Sequence, residues 1–131
     1  MEINLKDIDL FIEENKENIL RDIARLVAVP SIEGEPEEDA PFGKEPKKAL
    51  ELGLKIASEL GLETRNCENY IGYAEIPVPG EEKYIATVTH LDVVPVGEGW
   101  TKSPFEMWEK DGYIIGRGVM DDKGPSVICL Y

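Results

Sequence analysis

The run Tyr84-Ile-Ala-Thr-Val-Thr89 constrains the fold more than any other part of this chain. It is β-rich and almost continuously apolar, and it leads directly into the polar string His90-Leu-Asp92. A strand with one wet face alternates apolar and polar residues, whereas an unbroken apolar run suits a strand covered on both faces. Such a strand needs neighbours in a sheet and helices packed over it. The N-terminal part of the chain has helical patterns to offer. Ile8, Phe11, Ile12, Ile19, Ile23, Leu26 and Val27 recur at helical spacing, which predicts a helix over residues 5–28 that Pro30 ends. A second helix is predicted over Glu45–Leu60, with Pro46 in its first turn, Leu50, Leu54 and Ala57 on an apolar stripe, and Gly61 at its end.

The acidic, proline-containing stretch Ser31–Phe42 reads as a loop with a solvated charge run. Strands are predicted at Leu62–Cys67 and Tyr70–Ile76, and a turn at Pro77–Glu82. A short hairpin is predicted over Glu106–Ile115, turning at Asp111-Gly112, and a final helix from near Asp122 to the end. Helices, strands and a last helix in this order imply a layered α/β domain.

Size and charge exclude several roles. A chain of 131 residues is one domain's worth of sequence. Asp and Glu number 27 against 14 Lys and Arg, a net charge of −13, so neither nucleic acid nor an anionic membrane surface is expected as a partner. No apolar run reaches the length of a transmembrane helix, and MEINLKDIDL lacks the apolar core of a signal peptide. Cys67 and Cys129 form no CxxC and read as free thiols, so a cytoplasmic location is expected. The apolar end, Pro125-Ser-Val-Ile-Cys-Leu-Tyr131, stops without a cap or a charged tail, which suggests the front part of a longer protein.

Two clusters carry candidate chemistry. His90, the chain's one histidine, follows the apolar run, and ligands of α/β sheets gather at the carboxyl ends of strands. Asp92 lies two residues on, where alternate side chains face the same way, and a carboxylate beside an imidazole orients it as a metal ligand. Taken alone, this tripeptide fits an idle, hydrogen-bonded histidine better than a ligand. The second cluster is Gly116-Arg-Gly-Val-Met-Asp121-Asp122-Lys-Gly124-Pro125. Helix capping would explain one aspartate. It does not explain the glycines around the pair, which permit close backbone approach. The alternative is a carboxylate metal ligand, which can bridge two cations. Gly97–Ser103 ends in Lys-Ser like a phosphate-binding loop but lacks its glycine spacing. There is no HExxH and no Gly-x-Ser-x-Gly.

Together, His90-Leu-Asp92-Val-Val-Pro95, Gly97-Glu-Gly-Trp100, Pro104-Phe105 and Gly116–Pro125 resemble the M20 family of zinc peptidases, most closely its PepV-like (Xaa-His or carnosinase-like) dipeptidase branch. The resemblance extends to Phe42-Gly43-Lys44 and Asn69-Tyr70-Ile71-Gly72, and so covers the whole chain. It implies the N-terminal portion of a three-layer α/β/α catalytic domain, with residues 1–131 forming part of one domain and the lid or dimerisation domain lying elsewhere. It implies two zinc ions, with cobalt or manganese as substitutes. His90 would be a ligand to one ion and Asp121 the bridging ligand. Asp92 would be the catalytic-site carboxylate behind His90, and Asp122 would follow Asp121 through a cis peptide as a supporting residue. Arg117 and Lys123 would brace the aspartate pair.

The expected substrate is a dipeptide or short peptide with a free N-terminus, attacked by a metal-activated water. The family's Glu-Glu pair and its remaining ligands, including a distant histidine, have no counterpart in these residues. The 131-residue chain alone is therefore expected to be inactive, and self-association through an unpaired strand edge is expected. Two alternatives stand beside this reading. One is an M20-like deacylase of N-acyl amino acids, and the other is a non-catalytic acidic binding domain.

Overall fold

The computed structural model describes residues 4–131; residues 1–3, the start of the N-terminal stretch read above as lacking a signal peptide, lie outside the described residues. Helix α1 spans Leu5–Val27. The Asn4 side chain accepts the Lys6 N–H at its start, satisfying one of the donors that a helix leaves free. The helix stops three residues before Pro30, as the proline requires. Helix α2 spans Lys44–Glu59 and carries Pro46 in its first turn, where the missing N–H costs nothing.

Strands β1 (Glu63–Cys67) and β2 (Ile71–Glu75) pair antiparallel, with Glu63 opposite Glu75 and Cys67 opposite Ile71. Leu50 and Leu54 of α2 press on Gly72 of β2, where a Cβ would fall 2.8 Å from Leu54 Cδ2. A side chain at 72 would push the hairpin off the helix. Strands β3 (Trp108–Lys110) and β4 (Tyr113–Ile115) form the predicted second hairpin. Asp111 and Gly112 at its turn both have positive φ, 53° and 79°, the backbone that a two-residue hairpin turn demands. Helix α3 spans Lys123–Leu130.

The core lies where the three helices meet. Ile23, Leu26 and Val27 of α1, Ile56 of α2 and Val127 of α3 are fully enclosed, with Leu91, Met107, Ile114 and Val119 packed against them. A polar knot closes one side. The buried Asp22 carboxylate accepts from Arg21, from Arg25 (2.9 Å) and from the Tyr131 hydroxyl (2.7 Å), while Arg25 also donates to Glu59 of α2 (2.7 Å). Burial alone would raise the pKa of Asp22, but the bonds from Arg21, Tyr131 and Arg25 outweigh it and hold the carboxyl below its ordinary value. Cys67 and Cys129 are free thiols, as expected.

One expectation fails. Residues 84–89 form no strand: Tyr84, Ile85 and Val88 are 90%, 100% and 93% exposed. Among the described residues no segment hydrogen-bonds to this stretch, and the strands form two separate hairpins. Composition states what kind of neighbour a strand wants, but a ladder exists only where a second strand supplies the donors and acceptors. The chain rejoins the core immediately afterwards. Val93 donates its N–H to Ser31 O (3.0 Å), and the Ser31 hydroxyl donates to Leu91 O (2.6 Å).

Candidate metal-binding site

That anchorage at Leu91 and Val93 positions His90. Its backbone is held from two sides: the N–H donates to Asp122 Oδ2 (3.3 Å), and the carbonyl accepts from the Ser126 hydroxyl (3.2 Å). Its ring is bracketed by carboxylates, with Nδ1 3.1 Å from Asp92 Oδ1 and Nε2 2.9 Å from Asp121 Oδ1. Burial draws the imidazole pKa down. The hydrogen bond to Asp121 and the charge and hydrogen bond of Asp92 more than compensate, so His90 stands above its ordinary value. All four residues predicted for the site therefore converge, although His90 and the aspartate pair are 31 and 32 residues apart in sequence.

The aspartates ride on a loop closed at its base, where the Lys123 N–H donates to Gly118 O (2.9 Å). The Asp121–Asp122 peptide is cis. Asp122 stands at the start of α3, yet its side chain makes no capping bond and turns to the His90 backbone instead. Helix capping therefore does not explain this aspartate.

The two basic residues of the cluster part company. Arg117 turns away from the aspartates, lies 5.5 Å over the Trp100 ring and donates to Val96 O (3.0 Å). It does not brace the pair, because its guanidinium finds an aromatic face and a backbone carbonyl on the other side of the loop. Lys123 is fully buried beneath the aspartates. Burial pushes its ammonium down to about 8, and the Asp92 carboxylate opposes that shift. Ser31 and Ser126, which donate to the Leu91 and His90 carbonyls, were not foreseen. Ser126 lies one helical turn beyond Asp122, a weak local signal, whereas Ser31 is 60 residues from its partner and offers none.

The donor chemistry suits a borderline-soft cation such as zinc: an imidazole Nε2 and a carboxylate oxygen face each other, and a second carboxylate orients the ring from behind. The set is incomplete on its own. Among the described residues no group of three or more His, Cys, Asp or Glu side chains converges as a metal site.

Residues 86–131, which hold His90, Asp92, Asp121 and Asp122, match the family model for peptidase family M20/M25/M40. Over its full length the chain is 39% identical to a β-Ala-Xaa dipeptidase of Lactobacillus delbrueckii subsp. lactis, covering 27% of that protein. The chain spans about a quarter of the length of the curated relatives it matches. Among solved structures, human carnosine dipeptidase 1 superposes on 97% of this chain with a TM-score of 0.78 at 21% identity, over 30% of its own length. The helix-and-strand arrangement is thus that of part of the carnosine dipeptidase fold. The two sequence blocks thus fold into one site, and the match to the model of peptidase family M20/M25/M40 lies over that site.

Proposed function

We propose that this chain contributes one wall of the metal site of a dipeptidase that cleaves dipeptides or short peptides with a free N-terminus. The observation that carries the proposal is the His90 ring held between Asp92 and Asp121. In this assignment His90 binds zinc through Nε2, and Asp92 holds the Nδ1 proton and so keeps Nε2 free to ligate. Asp121 would hold zinc through its carboxylate, and Asp122 fixes the His90 backbone. A zinc pair held there supplies Lewis acidity toward a water and a scissile carbonyl, and cobalt or manganese can take its place.

Residues 1–131 are read as the N-terminal part of one catalytic domain, in keeping with the short span of the relatives that they cover. The general base and the remaining ligands then lie outside this chain, and the 131-residue chain does not turn over peptides by itself. A cytoplasmic location agrees with the two free thiols, and no described helix is long and apolar enough to cross a membrane. Self-association through the unpaired residues 84–89 belongs to the same proposal.

The test is an assay of the intact protein, loaded with Zn²⁺, against a dipeptide and an N-acetyl amino acid. Hydrolysis of the dipeptide, lost in His90→Ala and Asp121→Asn, is expected. Preference for the N-acetyl amino acid would move the assignment to a deacylase, and activity unchanged by both substitutions would remove it. Measurable dipeptide turnover by the homogeneous 131-residue chain with Zn²⁺ or Co²⁺ would contradict the expected inactivity of the chain alone.

A further inference from the structure

The buried group that the proposed chemistry leaves unused is Lys123. Its side chain has no solvent exposure, and its ammonium donates to two carbonyls at the end of α1, Leu26 O (2.8 Å) and Val29 O (2.6 Å). Leu26 lies in the last turn of a 23-residue helix, whose negative end favours a cation, and Val29 lies two residues beyond that helix. The stem of the same lysine fills the inside of the aspartate loop. A Cβ at Gly118, where φ is +87°, would fall 3.0 Å from Lys123 Cδ, and one at Gly124 would fall 2.0 Å from Val119 O. The loop is therefore packed against the lysine stem at Gly118 and against its own backbone at Gly124, and neither position has room for a side chain.

The connection to the site runs through two further bonds. Lys123 is the residue after Asp122, whose carboxylate accepts the His90 N–H, and Ser126 one turn on donates to His90 O. Among the described residues, the hydrogen bonds between the end of α1 and the aspartate loop thus come from one buried ammonium, beside the apolar packing of Val119 on the core, and the loop in turn holds His90.

We infer that Lys123 is a positioning residue: by plugging the C-terminal carbonyls of α1 and filling the loop, it sets where Asp121 and Asp122 stand relative to His90. It touches neither substrate nor metal. The inference rests on the metal-site assignment above and extends it to a residue outside the ligand set.

Co²⁺ serves as the probe, because its visible absorption reports ligand geometry as well as occupancy. The full chain is titrated with Co²⁺ as the unsubstituted protein, Lys123→Met and His90→Ala, with circular dichroism recorded on each. Methionine retains the apolar stem and removes the donors and the charge. The expected result is a folded Lys123→Met chain that binds Co²⁺ about 10–100-fold more weakly, the range found when a group behind a ligand is lost, with a changed absorption band. A folded Lys123→Met chain with the affinity and spectrum of the unsubstituted protein overturns the inference.

Equal binding by the unsubstituted chain and His90→Ala removes the metal-site assignment itself, and the inference falls with it. If Lys123→Met does not fold, Lys123→Arg decides. Its longer, planar head cannot occupy the enclosed position without moving the loop, so a shifted band and weaker binding are expected, and an unchanged spectrum overturns the inference.

Discussion

The three-helix core and the segment 84–89 are equally apolar in sequence and opposite in fate. Leu26, Ile56 and Val127 are sealed against one another, while Ile85 and Val88 stand in solvent. The difference lies in where each residue's partners are. An amphipathic helix carries its apolar stripe and satisfies its backbone internally, so it needs only another surface to bury against. A strand must find donors and acceptors on another segment before it can bury anything. His90 sits on the border between the two regimes: the residues before it are unpaired, and the residues after it are pinned to the core through Ser31 and Ser126.

The sharpest break of this comparison is Leu26→Ala, which opens a cavity in the enclosed core and should cost about 2–5 kcal/mol in chemical denaturation. A loss under about 1 kcal/mol would mean that the core is not the cooperative unit described here. Next comes Asp22→Asn, which leaves Arg21, Arg25 and Tyr131 facing a weaker acceptor. It should cost about 1–3 kcal/mol, read as a lower urea midpoint.

Tyr131→Phe removes one bond of that knot and should cost about 1 kcal/mol at neutral pH. It also tests the pH dependence of the knot. Burial and the bond to Asp22 push the Tyr131 hydroxyl from 10.0 up to about 12. Its contribution is therefore complete below pH 10.0 and lost as pH rises through about 12. Asp22, held below its ordinary 3.8, contributes above that value and loses its contribution as pH falls through its lower folded value. Urea midpoints of the unsubstituted chain should therefore fall at both extremes, and Tyr131→Phe should abolish the alkaline fall. An alkaline fall that persists in Tyr131→Phe would place its origin elsewhere.

The smallest effect belongs to Ile85→Ala. A fully exposed side chain loses no buried contact, and stability should change by no more than about 0.5 kcal/mol. A loss comparable to that of Leu26→Ala would show that residue 85 is covered in solution, as self-association would require.

Much of the site was legible because its residue types are rare and their spacing is local. The single histidine, an aspartate two residues on and an aspartate pair among glycines stood out as candidates, and the structure brings the four side chains around the His90 ring and backbone. Both Arg117 and Lys123 were expected to brace the aspartates, and the acceptors that each one finds were not legible. The two residues lie six residues apart in the same motif, yet one goes to Trp100 and the other to the end of α1, because each cation goes to the acceptors that packing places within its reach.

The sequence by itself determined the helices to within a residue or two, the strands of both hairpins, the Asp111-Gly112 turn and the loop character of residues 31–42. These depend on periodicity, turn chemistry and residue type, which act over a few neighbours along the chain. Only the tertiary structure decided that Ser31 would hold Leu91, that Tyr131 would reach Asp22, that Lys123 would donate to Leu26 O at the end of α1, and that the most strand-like run would stand alone. Each of those outcomes depends on a partner distant in sequence, and a hydrogen bond or a ladder is a property of both partners rather than of either segment.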